Sequence, residues 1–487
     1  MSSVQSPAPA SPESRVKSLR IGVLSTIRTL DPREGGDTIS GLVLGQIFEM
    51  PYAATAVGTL EPALFAEPLR QETAGARPVY SAAIRPGLFF SDGTELSAEI
   101  AAASLARGGA MRGRATVSAR GGRVFFTMSG PSPRFENVLS QWNCGIVLER
   151  NGTLCGTGPY RFQAGTTMRT ISDARALRLE RNPHHRGKVI SDELVFAVYP
   201  TETDGTPLKL IEGAKRGEID LTLNLSVNDI ARHGVTGFQP MMQPGNSTGI
   251  LFFNCERPMF RDATLRRAIQ HAINPITIAE ISYEKNHFAF LAGDVIPPLM
   301  GKASGSTAMR DRELLRKHPA RPSSLTLIVP WIPRPYLPKP LQAARELGRQ
   351  LGAYGVQVKL IETKSSEHYH KSLVAGDYDL GLGGWVADNP DPAEFYESML
   401  SSAQVSRNGE YLTNQARWSS TETDTALAAY RAEPTLPNRK AITDIIENEA
   451  IMVPLIYGAS TAIRSRSVKN FHITPSGHVA FAEVAMF

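Results

Sequence analysis

Residues 383–392 read GGWVADNPDP and set two carboxylates, Asp388 and Asp391, beside one aromatic, Trp385. Acids next to an aromatic face suit a positively charged ligand group. Asp, Asn and Pro also build ordinary turns, so the residues alone leave both readings open. Other chemistry is thinner. GNSTG (245–249) fits G-x-S-x-G, but it precedes a strand and lacks the strand-to-helix turn that exposes a nucleophile. His368 and His370 flank Tyr369, and alternate positions on a helix do not share a face, so surface histidines are expected rather than a metal site. Cys144, Cys155 and Cys255 lack metal-ligand spacing. Cys144 and Cys155 could pair across a short loop in an oxidising compartment. There is no H-E-x-x-H, no Walker A and no dinucleotide fingerprint, so neither a metal nor a cofactor is expected.

The elements that must position these residues begin with size. A chain of 487 residues is too long for one core, so two or three domains are expected. Hydrophobic residues at 42% and charged residues at 20% are ordinary for a globular protein. No apolar run approaches the ~20 residues of a membrane span. The net charge of +5 is spread along the chain. Its densest cluster, 106–123, reads as a solvated hairpin rather than a phosphate site, so nucleic acid is not expected as a partner. Residues 1–18 are Ser/Pro/Ala-rich without an apolar signal core and read as a disordered leader. Either a signal is removed ahead of this start, or the protein stays in the cytoplasm.

Strands are expected at 19–26, 123–130, 156–165, 177–183 and 193–200, with a helix at 38–52. Residues 79–108 read strand, turn, strand, turn, helix, with Ser97 as the cap. Residues 207–223 read as a helix leading into a strand, and 249–258 is another strand. The helix at 262–281 should stop near Asn274-Pro275. From 324 to 385 a β-α-β-α-β run predicts a separate α/β lobe with a mostly parallel sheet. Two helices follow, at 423–432 and 440–450, and the end returns to strands at 452–460 and 470–487.

Ordered blocks along the chain now carry a resemblance. They are TLDP (29–32), GLVLGQIFEMPY (41–52), GTLEPALFAEP (58–68), IRPGLFFSDGTELSAEIAAASLAR (84–107), GTGPYRF (156–162), LRRAIQHAINPITI (265–278) and GGWVADNPDPAEF (383–395). In this order the chain resembles the family 5 extracellular solute-binding proteins, the peptide- and nickel-type receptors of ABC importers. The resemblance implies a binder rather than a catalyst. It implies an α/β, two-lobed periplasmic-binding-protein-like fold (type II, cluster C) with a small satellite lobe and a central ligand cleft. Domain I would take 19–44, 156–248 and 456–487, the satellite lobe 45–155, and domain II 249–455. Hinge strands would fall near 240–255 and 450–460. The implied partners are a small-molecule or peptide ligand and a membrane ABC permease, with the receptor a monomer in the periplasm or at the cell surface.

The same resemblance makes Asp388 the residue that holds a ligand's ammonium group. Trp385 would line the cleft, with Val386 and Asn389 beside it. Gly383 and Gly384 would let the ligand approach the backbone. Gly36 and Thr38 of the EGGDT loop would face them, with Asn246 near by. Asp391, between two prolines, reads as a turn residue. Oligopeptide receptors place basic residues upstream of the Trp for a ligand carboxylate. Here residues 372–384 contain no Arg or Lys, and Lys371 is the nearest. A competing reading is a cytoplasmic homologue of this fold recruited as a biosynthetic enzyme or a ligand sensor.

Overall fold

The computed structural model describes residues 17–34, 37–55, 59–132, 134–172, 174–202, 206–283, 289–300, 311, 313–330, 333–387, 391–407, 409–473 and 479–486. Ten strands form one sheet. In spatial order they are Tyr160–Phe162, Ala176–Arg181, Glu193–Val198, Ser18–Val23, Leu221–Thr222, Met452–Ser465, Phe238–Phe253, Leu380–Val386, Ser324–Val329 and Gln357–Glu362. The apolar run LRIGV lies between two parallel neighbours, as a strand covered on both faces should.

Two long antiparallel strands, Phe238–Phe253 and Met452–Ser465, run through the middle and belong to both halves. Their pairing breaks between Pro244/Ala459 and Thr248/Tyr457. Gly245, Asn246 and Ser247 there stand opposite the single residue Gly458, a bulge that bends the pair. Separate cores lie on either side of the break. One gathers Leu19, Ile21, Phe196 and Phe481. The other half has a core on each face of the sheet, one around Leu251, Leu327 and Leu382, the other around Phe252, Tyr396 and Met399. Two lobes joined by crossing strands follow from this topology.

In the second lobe, Leu380–Val386, Ser324–Val329 and Gln357–Glu362 are mutually parallel, with helices Pro340–Gly352 and Ser366–Ala375 between them. The expected parallel unit is therefore present. It is not separate, because Leu380–Val386 pairs antiparallel with Phe238–Phe253 and continues the common sheet.

A further core, with Phe65, Phe90, Phe126 and Phe135, packs between the helix Ala98–Arg107 and a four-stranded sheet. Ser97 caps that helix by accepting from the Ile100 N–H at 3.3 Å. The Arg-rich stretch forms the hairpin Ala115–Arg120/Arg123–Met128. Gly121 and Gly122 turn it with φ of 56° and 72°, the left-handed pair a two-residue hairpin needs.

Several expectations need correcting. The helix at 38–52 ends at Leu44, and Tyr52–Ala54 is a strand. The strand expected at 249 begins at Phe238, because Pro240, Pro244 and Gly245 read as breakers yet lie in or beside the bulge. The expected stop at Asn274-Pro275 holds, ending the helix Ala263–Ala272, but Pro275 then opens a second helix, Pro275–Tyr283. The described C-terminal residues carry only the short strands Val468–Lys469 and Ala485–Met486. Cys144 and Cys155 do not pair; both are free and buried, and Cys144 Sγ donates to the Val138 carbonyl instead. No helix among the described residues is long and apolar enough to cross a membrane.

Candidate functional site

The opening stretch starts inside the common sheet. Leu380–Val386 pairs with Phe238–Phe253 in the register Ser247/Val386, Thr248/Trp385 and Gly249/Gly384. Its other neighbour, Ser324–Val329, pairs only as far as Gly381, so the end carrying Trp385 runs on past that strand. Beyond Val386 the chain is held by the bulge. Asn246 Nδ2 donates to the Ala387 carbonyl at 2.6 Å, and the Ala387 N–H donates to the Asn246 carbonyl at 2.9 Å. Asp388 and Asn389 follow directly and lie outside the described residues, as does Gly36. Described residues resume at Asp391, which caps Pro392–Leu400 by accepting from the Ala393 N–H at 3.0 Å. Its carboxylate also meets Arg134 at 3.3 Å.

Alternation divides the strand between two faces. On one face Gly383 admits Phe252 and Gln415. Trp385 follows there, half-buried, and lines a small pocket that is partly open to solvent. Ile250, Phe252, Met399 and Met452 line it, with Thr413 and Gln415. Gln415 Oε1 is buried without a hydrogen-bond partner among the described residues. On the other face the Tyr336 ring covers Gly384. The glycines expected to admit a ligand are thus met by the protein's own side chains.

Tyr336 belongs to 333–339, a proline-rich loop laid over the crossing strands. The Tyr336 carbonyl seats on Gly249 and the Pro335 carbonyl on Gly458. Tyr283, almost fully buried, donates to the Tyr457 carbonyl and accepts from the Ala459 N–H, both at 3.1 Å. The loop also carries Arg334, half-buried, among Tyr336, Tyr411 and His370. Among the described residues this guanidinium has no ion pair and no side-chain hydrogen bond. The His370 ring stacks on Tyr411 at 4.1 Å. Burial and then the Arg334 charge push the His370 imidazole below its ordinary range. A part-buried cation without a counterion among the described residues is chemistry for an anionic ligand group.

Asn246, Gly384, Trp385 and Val386 thus lie together, and Val386 is exposed. Thr38 starts the helix Thr38–Leu44, exposed behind the cap residue Asp37, and no hydrogen bond joins it to them. Ser247 is buried within the strand, so G-x-S-x-G forms no nucleophile elbow. Tyr369 points inward to donate to the Leu382 carbonyl at 2.8 Å, and the two histidines beside it part. No metal-ligand cluster occurs among the described residues. Arg334 and Tyr336 escaped the sequence reading. Their signal was one Arg and one Tyr in a stretch with prolines at 330, 333, 335 and 338, a rigid loop of the kind that carries function.

Two α/β lobes sharing crossing strands, with polar and aromatic groups gathered where they meet, define a two-lobed binding protein. The chain belongs to the bacterial extracellular solute-binding proteins, family 5, whose model matches residues 60–407. It is 25% identical over 373 residues to the peptide transport periplasmic protein SapA of Salmonella typhimurium, covering 73% of this chain and 63% of that protein. It is 25% identical over 345 residues to a dipeptide-binding protein of Pseudomonas aeruginosa, covering 68% and 61%. The alignments therefore span about three-fifths of those relatives. Among solved structures, HbpA2 from Haemophilus parasuis superposes with a TM-score of 0.79 at 19% identity, covering 96% of this chain and all of that one. A dipeptide-binding protein from Pseudoalteromonas sp. SM9913, in complex with Met-Leu, gives 0.73 at 18%, covering 97% and 100%. The last two likenesses bear on fold alone. Membership of a solute-binding family favours capture over the recruited-enzyme reading.

Proposed function

We propose that this chain captures a small dipolar ligand, a peptide or peptide-like compound, between its lobes and hands it to a membrane ABC permease. One observation carries the dipolar reading: Arg334, half-buried and without a counterion among the described residues, sits two residues before Tyr336, whose ring covers Gly384 of the strand that leads to Asp388. Arg334 takes the ligand's carboxylate. Asp388, with Asn389, takes its ammonium, and Trp385 and Val386 cover it. Gly36 and Thr38 face them from the first lobe. The missing basic partner upstream of Trp385 is supplied from another loop. Domain I comprises 19–44, 156–248 and 456–487, the satellite lobe 45–155 and domain II 249–455, a division that the separate cores follow in outline, with Ile47, Phe48 and Val147 packing in the domain I core and Ile456 in the domain II core. Closure bends the crossing strands at the Gly245–Ser247 bulge. The receptor works as a monomer outside the cytoplasmic membrane, as the periplasmic names of its relatives suggest.

Calorimetry against a dipeptide set tests this. Wild type should prefer a free C-terminal carboxylate to its amide, and Arg334→Met should weaken the free acid by about 10–100-fold, the worth of a charged hydrogen bond. The amide should lose little. Asp388→Asn should do the same for a free amine against its N-acetyl form. Equal binding of acid and amide by wild type would refute the Arg334 role. Mass spectrometry of incubated ligand should find it unchanged; turnover would restore the enzyme reading.

A further inference from the structure

The 45–155 segment and the second lobe have different cores, yet one side chain joins them. Arg134 leads into the helix Phe135–Leu139, whose Phe135, Val138 and Leu139 belong to the satellite core. Its guanidinium reaches Asp391, 257 residues away, at 3.3 Å. It also lies over the Tyr430 ring at 5.7 Å and donates to the Tyr430 hydroxyl at 3.5 Å. Tyr430 is buried in the second lobe's core, beside Tyr396. Both of the guanidinium's hydrogen bonds, to Asp391 and to Tyr430, run from 45–155 to that lobe. The pair is sheltered, with side chains 29% and 16% exposed. Glu136, next on the same short helix, is held above the ordinary carboxylate range by burial, while Arg134 pulls it back.

We propose that Arg134 is a cross-lobe clasp: it closes the satellite lobe onto the helix that Asp391 caps. The reasoning is geometric. Asp391 needs no guanidinium to cap a helix, since the Ala393 N–H already satisfies that role. The ion pair adds something else, a bond between bodies with different cores. Such a contact forms only when the lobes are closed, so its free energy enters the opening equilibrium directly. Arg suits the task because its planar guanidinium can meet a carboxylate and lie over an aromatic ring at once. Arg134 is a positioning residue and needs no contact with the ligand. The inference rests on the cleft-binding reading only for its ligand effect.

Small-angle scattering of the unliganded protein tests the clasp without any ligand. Arg134→Met and Asp391→Asn should each enlarge the radius of gyration by shifting the equilibrium about fivefold toward open, the scale of a part-exposed charged contact. Asn retains the helix cap, so the melting temperature of Asp391→Asn should hold. Arg134→Lys should restore part of the compaction. The double variant should open no further than Arg134→Met alone, because Asp391→Asn removes an ion pair already lost there. Calorimetry with a dipeptide should then show about fivefold weaker binding in both. Unchanged scattering in both single variants, or additive effects in the double, would overturn the clasp. Scattering as expected, with no dipeptide binding in any form, would uphold the clasp and count against the peptide reading instead.

Discussion

Gly384 separates a packing role from a ligand role. A Cβ built there overlaps the Thr248 carbonyl oxygen and lies 2.6 Å and 2.9 Å from two carbons of the Tyr336 ring. Ordinary carbon contacts begin near 3.5 Å, so either the ring or the strand must move by more than half an ångström. The oxygen is backbone, held in the pairing of Thr248 with Trp385, and cannot turn away. Tyr336 is fixed from behind by its carbonyl on Gly249. Overpacking of this kind costs about 1–3 kcal/mol, and two immobile neighbours put Gly384→Ala at the upper end, about 3 kcal/mol. For a unit of roughly 200 residues that lowers Tm by about 6–12 °C. Differential scanning calorimetry of the unliganded protein reads this directly. Gly348→Ala is the control: it sits within Pro340–Gly352, and its new Cβ would meet only Val358 Cβ at 3.6 Å. It should hold or raise Tm, with about 1 kcal/mol of helix propensity in its favour. If Gly384→Ala kept its Tm yet lost all ligand, the gap at Gly384 would serve the ligand, and the packing account would be wrong.

Glu346 should govern part of the acid limb. Arg349 grips it through two hydrogen bonds of 2.8 Å, and Gln350 adds one of 2.9 Å. These hold its pKa at about 2, below the ordinary carboxylate range. A depressed carboxylate contributes stability at neutral pH that is lost as pH falls from about 4.5 toward 2. Discounted for solvent screening, it is worth about 1 kcal/mol. Glu346→Gln should therefore flatten the fall of Tm between pH 5 and 3, and an unchanged slope would exclude this grip. The cysteines make a second check. Burial lifts the Cys144 thiol to about 12 and raises Cys155. Neither should react with a thiol reagent until the protein is unfolded, and then all three cysteines should titrate as free thiols. A missing pair under denaturing, non-reducing conditions would contradict the reduced state.

The fold was legible wherever local pattern and burial agree. The 324–385 run shows this: each strand is a short apolar run and each helix has its own start and stop. The middle of the sheet was hidden because its strand breaks local rules. Pro240 and Pro244 argue against a strand, and only pairing with residues more than 200 positions away overrides them. The site divides the same way. Trp385 and Asp391 announce themselves, and Asp391 does the capping its prolines foretold. Arg334 could not be found from Trp385, because 50 residues of helix and strand intervene and only the fold sets the loop on the crossing strands. The glycine pair misled for a related reason: a sequence shows that space is required but not what fills it.

The crossing strands also bear on the order of synthesis. Leu221–Thr222 and Phe238–Phe253 both take Met452–Ser465 as a sheet neighbour. A ribosome making ~5–20 residues per second needs about 10–40 s to reach that last strand. Through that interval neither half has its sheet complete, and a long edge with apolar residues such as Ile250 and Phe252 lacks its partner. The halves cannot finish one after the other as the chain emerges, so closing both is a late and shared event. A helper that shields this edge during synthesis would act on the interval between residues 253 and 452, and a chain cut before Met452 would lose both lobes at once.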